Sequence, residues 1–297
     1  MNPAFQTTLL KATLLTAALL ASACGGAADD PVLRFSAIPD QNTTELAEKF
    51  DRVADWLQGE LGVPVEFVPT SDYTASVEAF KNGDVQLAWF GGLTGVRARA
   101  AVEGARAIAQ GRVDPEYRSY FVANGRFGLS LSDVFPEELE GRTFTFGSES
   151  STSGRLMPEV FLRRETGVAP ADFFAGEEMN FSGAHDKTAL VVEEGAFDAG
   201  VLSYKHYDEM VASGKLDPTR CVKVWETPPY PDYNWTAHPV LDETFGEGFL
   251  DRLQETLVGL EDPELLAAVQ RPEGMIPAEN EDFAPLEELA RELGLLR

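Results

Sequence analysis

The order of apolar and polar residues predicts short strands that alternate with amphipathic helices. Residues 32–38 alternate like a strand, and residues 46–57 carry apolar side chains at the spacing of one helix face. The further elements of this first series are predicted at 63–68, 71–81, 85–90 and about 93–101. A β-α-β-α-β-α order is typical of a mostly parallel sheet covered by helices.

A second series of the same kind follows strand-like segments at 105–109 and 119–124. It begins with a strand at 143–146, a polar loop at 148–154 and a helix at 155–166. Its later elements are predicted at 179–181, 186–194, 198–202, 204–213 and 222–225, and three tail helices at 243–260, 263–270 and 283–295. One chain therefore carries two α/β units in succession.

These two series predict two lobes within one α/β protein, which suits a chain of 297 residues. Each lobe is expected to be a mostly parallel sheet flanked by helices. The chain is expected to cross between the lobes near 120–128 and 228–235. Lobe 1 would then comprise 32–122 and 234–297, and lobe 2 would comprise 123–233.

The N-terminus has the residue pattern of an export signal. Lys11 precedes the apolar stretch 12–23, which is too short to span a bilayer, since a helix needs ~20 residues for that. Its length fits the apolar region of a signal peptide, and three small residues precede Cys24 as a cleavage site. We predict a signal peptide at 1–23, lipid attachment at Cys24 and a tether at 24–31, with a lipid-free periplasmic protein as the alternative.

Composition excludes several partners and chemistries. The 49 acidic and 24 basic residues give a formal net charge of −25, and such a surface repels nucleic acid. The 3 histidines show no metal-ligand spacing, and no nucleophile–base pair is legible, so we predict no metal, no cofactor and no enzymatic activity. If Cys24 carries lipid, Cys221 has no disulfide partner, and it is expected to be a small buried hydrophobe.

The most informative segment is a hydroxyl-rich loop before a predicted helix. Ser151, Thr152 and Ser153 precede Gly154 where backbone N–H groups lack partners and carry partial positive charge. Hydroxyls and amides together predict a cradle for the oxygens of an anion. Helix capping by one serine within a solvated loop is the alternative that this segment leaves open. The loop lacks the lysine of a Walker motif.

Three further segments have both a functional and a structural interpretation. Tyr73 follows Asp72 at the start of a predicted helix, and His185 opens another. The rigid, aromatic-rich loop 228–235 is of a kind that often lines pockets. Each of these features is also compatible with a structural role, since a lone histidine that opens a helix is more often a cap or a packed side chain than a ligand, and none decides the function alone.

Four stretches in this order and spacing resemble the phosphonate/phosphite periplasmic binding proteins of ABC transporters: TSDYTASVEAFKNGDVQLAWFGG, TFTFGSESSTSGRLMP, GAHDKTALVVEEGAFDAG and VWETPPYPDYNW. The resemblance runs from about residue 32 to the C-terminus and is greatest to a branch described as selenate-binding proteins. It implies a type II-like Venus-flytrap fold and a small tetrahedral oxyanion (selenate, phosphonate, phosphite or phosphate) as ligand. It also implies an ABC permease with a cytoplasmic ATPase as partner, at the outer face of the cytoplasmic membrane or in the periplasm. A monomer is expected.

The resemblance also assigns residues to the ligand. Lys205 falls where relatives that bind aminoalkyl phosphonates have an acid for the ligand's ammonium, which favours an inorganic or methylphosphonate-like ion here. A second acidic position of those relatives falls near Asp232 or Tyr233. The implied ligand-binding residues are Tyr73, Tyr117, Ser151, Thr152, Ser153, His185, Lys205, Asp232 and Tyr233.

The residue patterns and the resemblance agree on a mechanism. Hydroxyls and amides of lobe 2, with Tyr73 and the loop 40–44 of lobe 1, would bridge the ligand and favour the closed state. The acidic surface is compatible with an anionic ligand, because charges beyond ~8–10 Å are largely screened at physiological salt. A transport receptor is the leading interpretation. A sensory protein that presents an oxyanion to a membrane histidine kinase would share the fold and is the alternative.

Overall fold

Two mixed sheets organise residues 30–296, the part of the chain that the computed structural model describes. The strands are β1 Leu33–Ala37, β2 Val65–Phe67, β3 Leu87–Phe90, β4 Arg106–Gly111, β5 Ser119–Asn124, β6 Thr143–Phe146, β7 Ala175–Phe181, β8 Ala199–Ser203, β9 Cys221–Glu226, β10 Asn234–Ala237 and β11 Met275–Pro277. The helices are α1 Thr43–Leu61, α2 Tyr73–Lys81, α3 Gly92–Ala101, α4 Met157–Thr166, α5 Pro170–Phe173, α6 His185–Glu193, α7 Tyr204–Ala212, α8 Val240–Phe245, α9 Phe249–Val258, α10 Pro263–Ala268 and α11 Ala284–Glu292.

Most strands of each sheet run in one direction. The larger sheet has the order β11-β4-β10-β3-β1-β2, and β10 and β11 run against the other four strands. The smaller sheet has the order β7-β6-β8-β5-β9, and β5 runs against its neighbours. β5 and β10 are the first strands after each passage between the sheets. The expected two-lobed α/β fold is confirmed, with mixed sheets.

The chain passes between the two sheets at two crossings. The first crossing is 112–118, between β4 and β5, and the second is 227–233, between β9 and β10. The first differs from the predicted 120–128, because Ser119–Asn124 already pairs inside the smaller sheet. Apolar periodicity identifies a strand but not the sheet that it joins. We therefore define lobe 1 as 31–111 with 234–296, and lobe 2 as 119–226.

The C-terminal part of lobe 1 departs from the predicted elements in two ways. The helix expected at 243–260 is two helices, because Gly246 and Gly248 adopt positive φ angles of 99° and 80° between them. Two short strands, β10 and β11, went unpredicted. β10 was interpreted as part of an aromatic loop, whereas its Trp235 packs 5.2 Å from Trp89 and 5.8 Å from Phe35, between ring centroids, in the lobe 1 core.

Cys221 is fully buried at the start of β9, as expected for a structural cysteine, and burial raises the pKa of its thiol to about 12. Within residues 30–296 no helix combines the length and the apolar character that a bilayer crossing requires.

Candidate functional site

A widened helical turn presents the predicted hydroxyl residues at the interface between the lobes. After β6, Ser151 caps a π-helical turn, Thr152–Leu156, that continues into α4. The Leu156 N–H donates to the Ser151 carbonyl at 3.0 Å, which is the i to i+5 bond of a π turn. Such turns are frequent at functional sites. The side chains at positions 151, 152 and 153 are all buried.

The glycine after the hydroxyls is required by close packing. The Gly147 N–H donates to the Gly154 carbonyl at 2.8 Å, which holds the loop against the end of β6. A Cβ at Gly154 would lie 3.0 Å from Ser151 Oγ and 3.1 Å from Gly147 Cα. A larger residue at position 154 would therefore push the loop open.

Helix capping accounts for one of the three hydroxyls. Ser151 Oγ accepts from the Gly154 N–H at 2.9 Å and is the cap. Thr152 Oγ1 accepts from the Leu93 N–H of α3 at 2.9 Å, which ties the loop to lobe 1. Ser153 Oγ lies 3.5 Å from His185 Nε2. Since the first two oxygens accept backbone N–H groups, those bonds leave their hydroxyl protons unused; the Thr152 and Ser153 hydroxyls also lie near enough to Asp232 to lower the pKa of that carboxyl. We call the segment 151–153 the cradle.

Tyr73 faces the cradle from lobe 1. It is the first residue of α2, which Asp72 caps by accepting from the Ala75 N–H at 2.8 Å. The Tyr73 hydroxyl is buried and has no hydrogen-bond partner among the described residues. Burial, with Asp40 and Asp232 nearby, raises its pKa well above 10. Tyr73 is therefore a neutral donor at neutral pH.

Asp232, on the second crossing, closes the site beside the start of α3. Its Oδ1 accepts from the Gly92 N–H at 2.9 Å, while its buried Oδ2 lacks a partner within residues 30–296. A Cβ at Gly91 would lie 3.2 Å from Asp232 Oδ1 and 3.3 Å from Thr152 Oγ1, so a glycine allows the two to approach. Burial raises the pKa of Asp232 to about 7. This carboxyl group can therefore gain or lose a proton near neutral pH.

Asp40 brings lobe 1 against two histidines of lobe 2. Its carbonyl accepts from the His185 N–H at 2.9 Å, and its Oδ2 lies 3.5 Å from His206 Nε2. Burial opposes ionisation of Asp40, but His206, His185 and the Tyr233 hydroxyl together lower its pKa to about 2. Burial lowers the pKa of His185 to about 3, and its Nδ1 accepts from the Ser203 N–H at 3.3 Å. His185 is therefore a neutral imidazole beside the cradle.

Comparison with known proteins places this geometry in a family. Residues 35–283 match the family described as ABC transporter, phosphonate, periplasmic substrate-binding protein. The chain belongs to this family. It is 38% identical over 272 residues to a probable ABC transporter phosphite binding protein of Prochlorococcus marinus, covering 90% of this chain and 91% of that protein.

Two further relatives agree with this assignment. A phosphate-import protein of Mycolicibacterium smegmatis is 33% identical over 234 residues, covering 71% of this chain and 70% of the relative. A solved structure of a Prochlorococcus marinus protein in complex with methylphosphonate superposes with a TM-score of 0.83 at 36% identity, covering 89% of this chain and 98% of the other. Members of this family are substrate-binding proteins.

Eight of the nine residues assigned by resemblance lie at or around the cradle. Tyr117 and Tyr233 form an aromatic wall, with ring centroids 5.3 Å apart. The Tyr117 hydroxyl bonds Ser203 Oγ at 2.5 Å, and the Tyr233 hydroxyl donates to Asp40 Oδ2 at 2.8 Å. Of the two positions left open, Asp232 is the one beside Thr152. Ligand contact by these residues stays a prediction.

Lys205 lies in a different environment from the other eight. Its ammonium lies 2.5 Å from Glu273 Oε1 of lobe 1, in an ion pair that joins the two lobes. The charge that was expected to disfavour an ammonium-bearing ligand is thus matched by an acid of the same protein. Direct contact of Lys205 with a ligand stays a prediction.

The residue patterns gave no signal for a buried ion pair that supports the aromatic wall. Arg271 donates to both carboxylate oxygens of Asp114, on the first crossing, at 2.7 Å each. Its guanidinium also lies over the rings of Trp89, Tyr117 and Tyr233, at 5.2, 5.3 and 4.7 Å from their centroids. Arg271 thereby joins a crossing segment to both tyrosines of the wall.

Proposed function

We propose that this protein captures a small phosphorus oxyanion, of the phosphite or methylphosphonate type, and delivers it to the permease of an ABC transporter. The observation that carries the proposal is the meeting of the lobe 2 cradle with the free carboxylate oxygen of Asp232. Buried hydroxyl donors suit an anion, and a buried carboxylate beside them suits an anion that still holds a proton.

Asp232 supports a phosphorus oxyanion over selenate. Phosphite, phosphate and alkylphosphonates retain or exchange one proton near neutral pH, and that O–H can donate to Asp232 Oδ2. Selenate and sulfate are fully deprotonated there, so they face the carboxylate lone pairs unless Asp232 itself is protonated. Selenate, the narrower expectation from the family branch, is therefore a competitor in the test.

The relatives support the same ligand class and a transport role. Their names and ligand cover phosphite, phosphate and methylphosphonate. The two curated relatives are described as a transporter binding protein and an import protein. Delivery to a permease, rather than presentation of the ligand to a kinase, is proposed on this basis.

Calorimetry on the mature protein tests the ligand class. The titrants are phosphite, methylphosphonate, phosphate, selenate, sulfate and 2-aminoethylphosphonate at one pH and salt concentration. We expect phosphite or methylphosphonate to bind at least about tenfold more tightly than selenate and sulfate, the difference made by about one charge-assisted hydrogen bond. Tightest binding of selenate would contradict the ligand class, and absence of binding to every titrant would contradict the function.

Anchoring through Cys24 belongs to the same proposal, although this residue lies outside the described part of the chain. In cells that express the full-length chain, Cys24→Ser should move the protein from the membrane fraction to the soluble periplasmic fraction, because the thiol that would carry lipid is gone. Cys221→Ser is the matched control and should leave the distribution unchanged. A Cys24→Ser protein that still sediments with membranes would contradict lipid attachment.

A further inference from the structure

Helix α7 of lobe 2 contacts lobe 1 through charged side chains. Lys205 pairs with Glu273 at 2.5 Å, and Glu209 pairs with Lys49 at 3.1 Å. Residues three or four positions apart share a side of a helix, so Lys205 and His206 each lie near the side of α7 that carries Glu209. This side of α7 and the following Lys215, together with their lobe 1 partners, are called the seam below.

Of the contacts named here between α7 and lobe 1, the one between His206 and Asp40 has both side chains buried. The side chains of His206 and Asp40 are 3% and 5% exposed, and His206 Nε2 lies 3.5 Å from Asp40 Oδ2. Asp40 is fixed by the Tyr233 hydroxyl at 2.8 Å and by the His185 N–H at its carbonyl. Neither nitrogen of His206 has a closer hydrogen-bond partner within the described chain.

An anion in the cradle would add negative charge to a buried region, and His206 is placed to supply a compensating positive charge. Asp40 and Asp232 are already buried beside the cradle, and an uncompensated buried charge is strongly unfavourable. His185 remains neutral because burial lowers its pKa to about 3. The His206 ring lies 4.7 Å from the His185 ring, between centroids, and His185 Nε2 lies 3.5 Å from the cradle hydroxyl of Ser153.

We propose that His206 takes up a proton from solvent when the lobes close on the oxyanion, and forms a buried imidazolium–carboxylate pair with Asp40 across the seam. The proton returns to solvent when the lobes open and the two residues separate. His206 is thus a positioning residue that couples ligand affinity to pH without touching the ligand. This inference rests on the proposed function, because it requires an anion in the cradle.

Most charged groups around His206 are paired with each other. Glu45 pairs with Lys215, and Glu209 pairs with Lys49, so the remaining negative charge comes from Asp40 and Asp186. His206 also lines a cavity of about 370 Å³ at the seam. The titratable and charged groups that face His206 are Asp40, Glu45, His185, Asp186, Glu209 and Lys215.

Calorimetric titration with phosphite and with methylphosphonate from about pH 5 to pH 8, where histidine titrates, tests the inference. The dissociation constant of the unaltered protein should rise with pH more steeply than that of His206→Gln, by up to about tenfold per pH unit, because one linked proton is removed. Asp40→Asn should remove the same part of the slope. His238→Gln, which changes the imidazole near Phe80 in lobe 1, is the control and should keep the original slope.

The outcomes separate this inference from the proposed function. Equal slopes for the unaltered protein and for a folded His206→Gln variant would overturn the inference while leaving the function intact. Should no titrant bind, the proposed function fails and this inference fails with it. Binding with equal slopes overturns the inference alone, so the two failures are told apart by whether heat of binding is measured.

Discussion

The two parts of the inter-lobe interface are built from different interactions. Around the cradle, the lobes meet through buried hydrogen bonds from backbone amides, such as the Leu93 N–H with Thr152 Oγ1 and the His185 N–H with the Asp40 carbonyl. At the outer seam, they meet through side-chain ion pairs such as Lys215 with Glu45, in which both partners are about half exposed. Water competes for the groups in the exposed ion pairs but hardly for those in the buried hydrogen bonds.

This difference in burial separates the roles of the two regions. Exposed ion pairs contribute ~0–1 kcal/mol and weaken with salt. Buried polar groups cost several times more when their partner is removed, because the remaining group is left desolvated and unsatisfied. Ligand selectivity should therefore depend on the cradle side, while the exposed seam adjusts closure only slightly.

The largest effect is expected from the buried ion pair that supports the cradle side. Arg271→Met leaves Asp114 without its guanidinium partner inside the protein, and breaking such a pair costs ~3–5 kcal/mol. The free energy of unfolding, measured by urea denaturation, should fall by about that amount.

The double variant Arg271→Met/Asp114→Asn is the control for this prediction, because it removes both buried charges. It should recover part of the lost stability. A single variant as stable as the unaltered protein would show that this buried pair behaves like a surface pair, and the comparison between the two regions would fail.

The cradle hydroxyls should give the next largest effect. Ser151→Ala with Thr152→Val removes two donors for the anion at nearly constant volume. Each charge-assisted hydrogen bond is worth ~1.5–3 kcal/mol, so the affinity for phosphite should fall at least about tenfold. Calorimetry measures this loss. Ser148→Ala, in the same loop but outside the cradle, is the matched control, and an equal loss there would remove the cradle from the site.

Asp232 should affect selectivity more than stability. Asp232→Asn replaces the acceptor Oδ2 by an amide N–H₂ group, which cannot accept the hydrogen bond of a ligand O–H. Phosphite affinity should therefore fall about tenfold, while selenate affinity rises or holds. In the unaltered protein, selenate requires a protonated Asp232. Because the pKa of this carboxyl is about 7, selenate affinity should decrease as the pH rises above that value.

Competition titrations at two pH values on either side of 7 measure this change in selectivity. A phosphite-to-selenate preference that Asp232→Asn leaves unaltered at both pH values would contradict the assigned role of the carboxylate.

Local sequence patterns predicted the loop and the helix start that form the cradle, but not the contacts around them. Ser151, Thr152, Ser153 and Gly154 are adjacent in sequence, so their chemistry and the helix start could be interpreted together. Asp40 and His206 are far apart in the chain and meet only because β1 and α7 lie on opposite sides of the seam. The pairing of Arg271 with Asp114 likewise joins residues 157 positions apart. Such contacts depend on the arrangement of the lobes, which periodicity does not encode.

The exposed seam should give the smallest effect. Lys215→Ala removes the ion pair with Glu45, whose side chains are 54% and 45% exposed, so phosphite affinity should fall no more than about fivefold. This loss should vanish at high salt, because ions already screen the pair. Lys81→Ala removes an equally exposed ion pair with Glu78 inside α2, away from the seam, and serves as the control. If Lys215→Ala instead weakened binding as much as loss of the cradle hydroxyls, closure would depend on surface charge, and the division of roles between the two regions would be wrong.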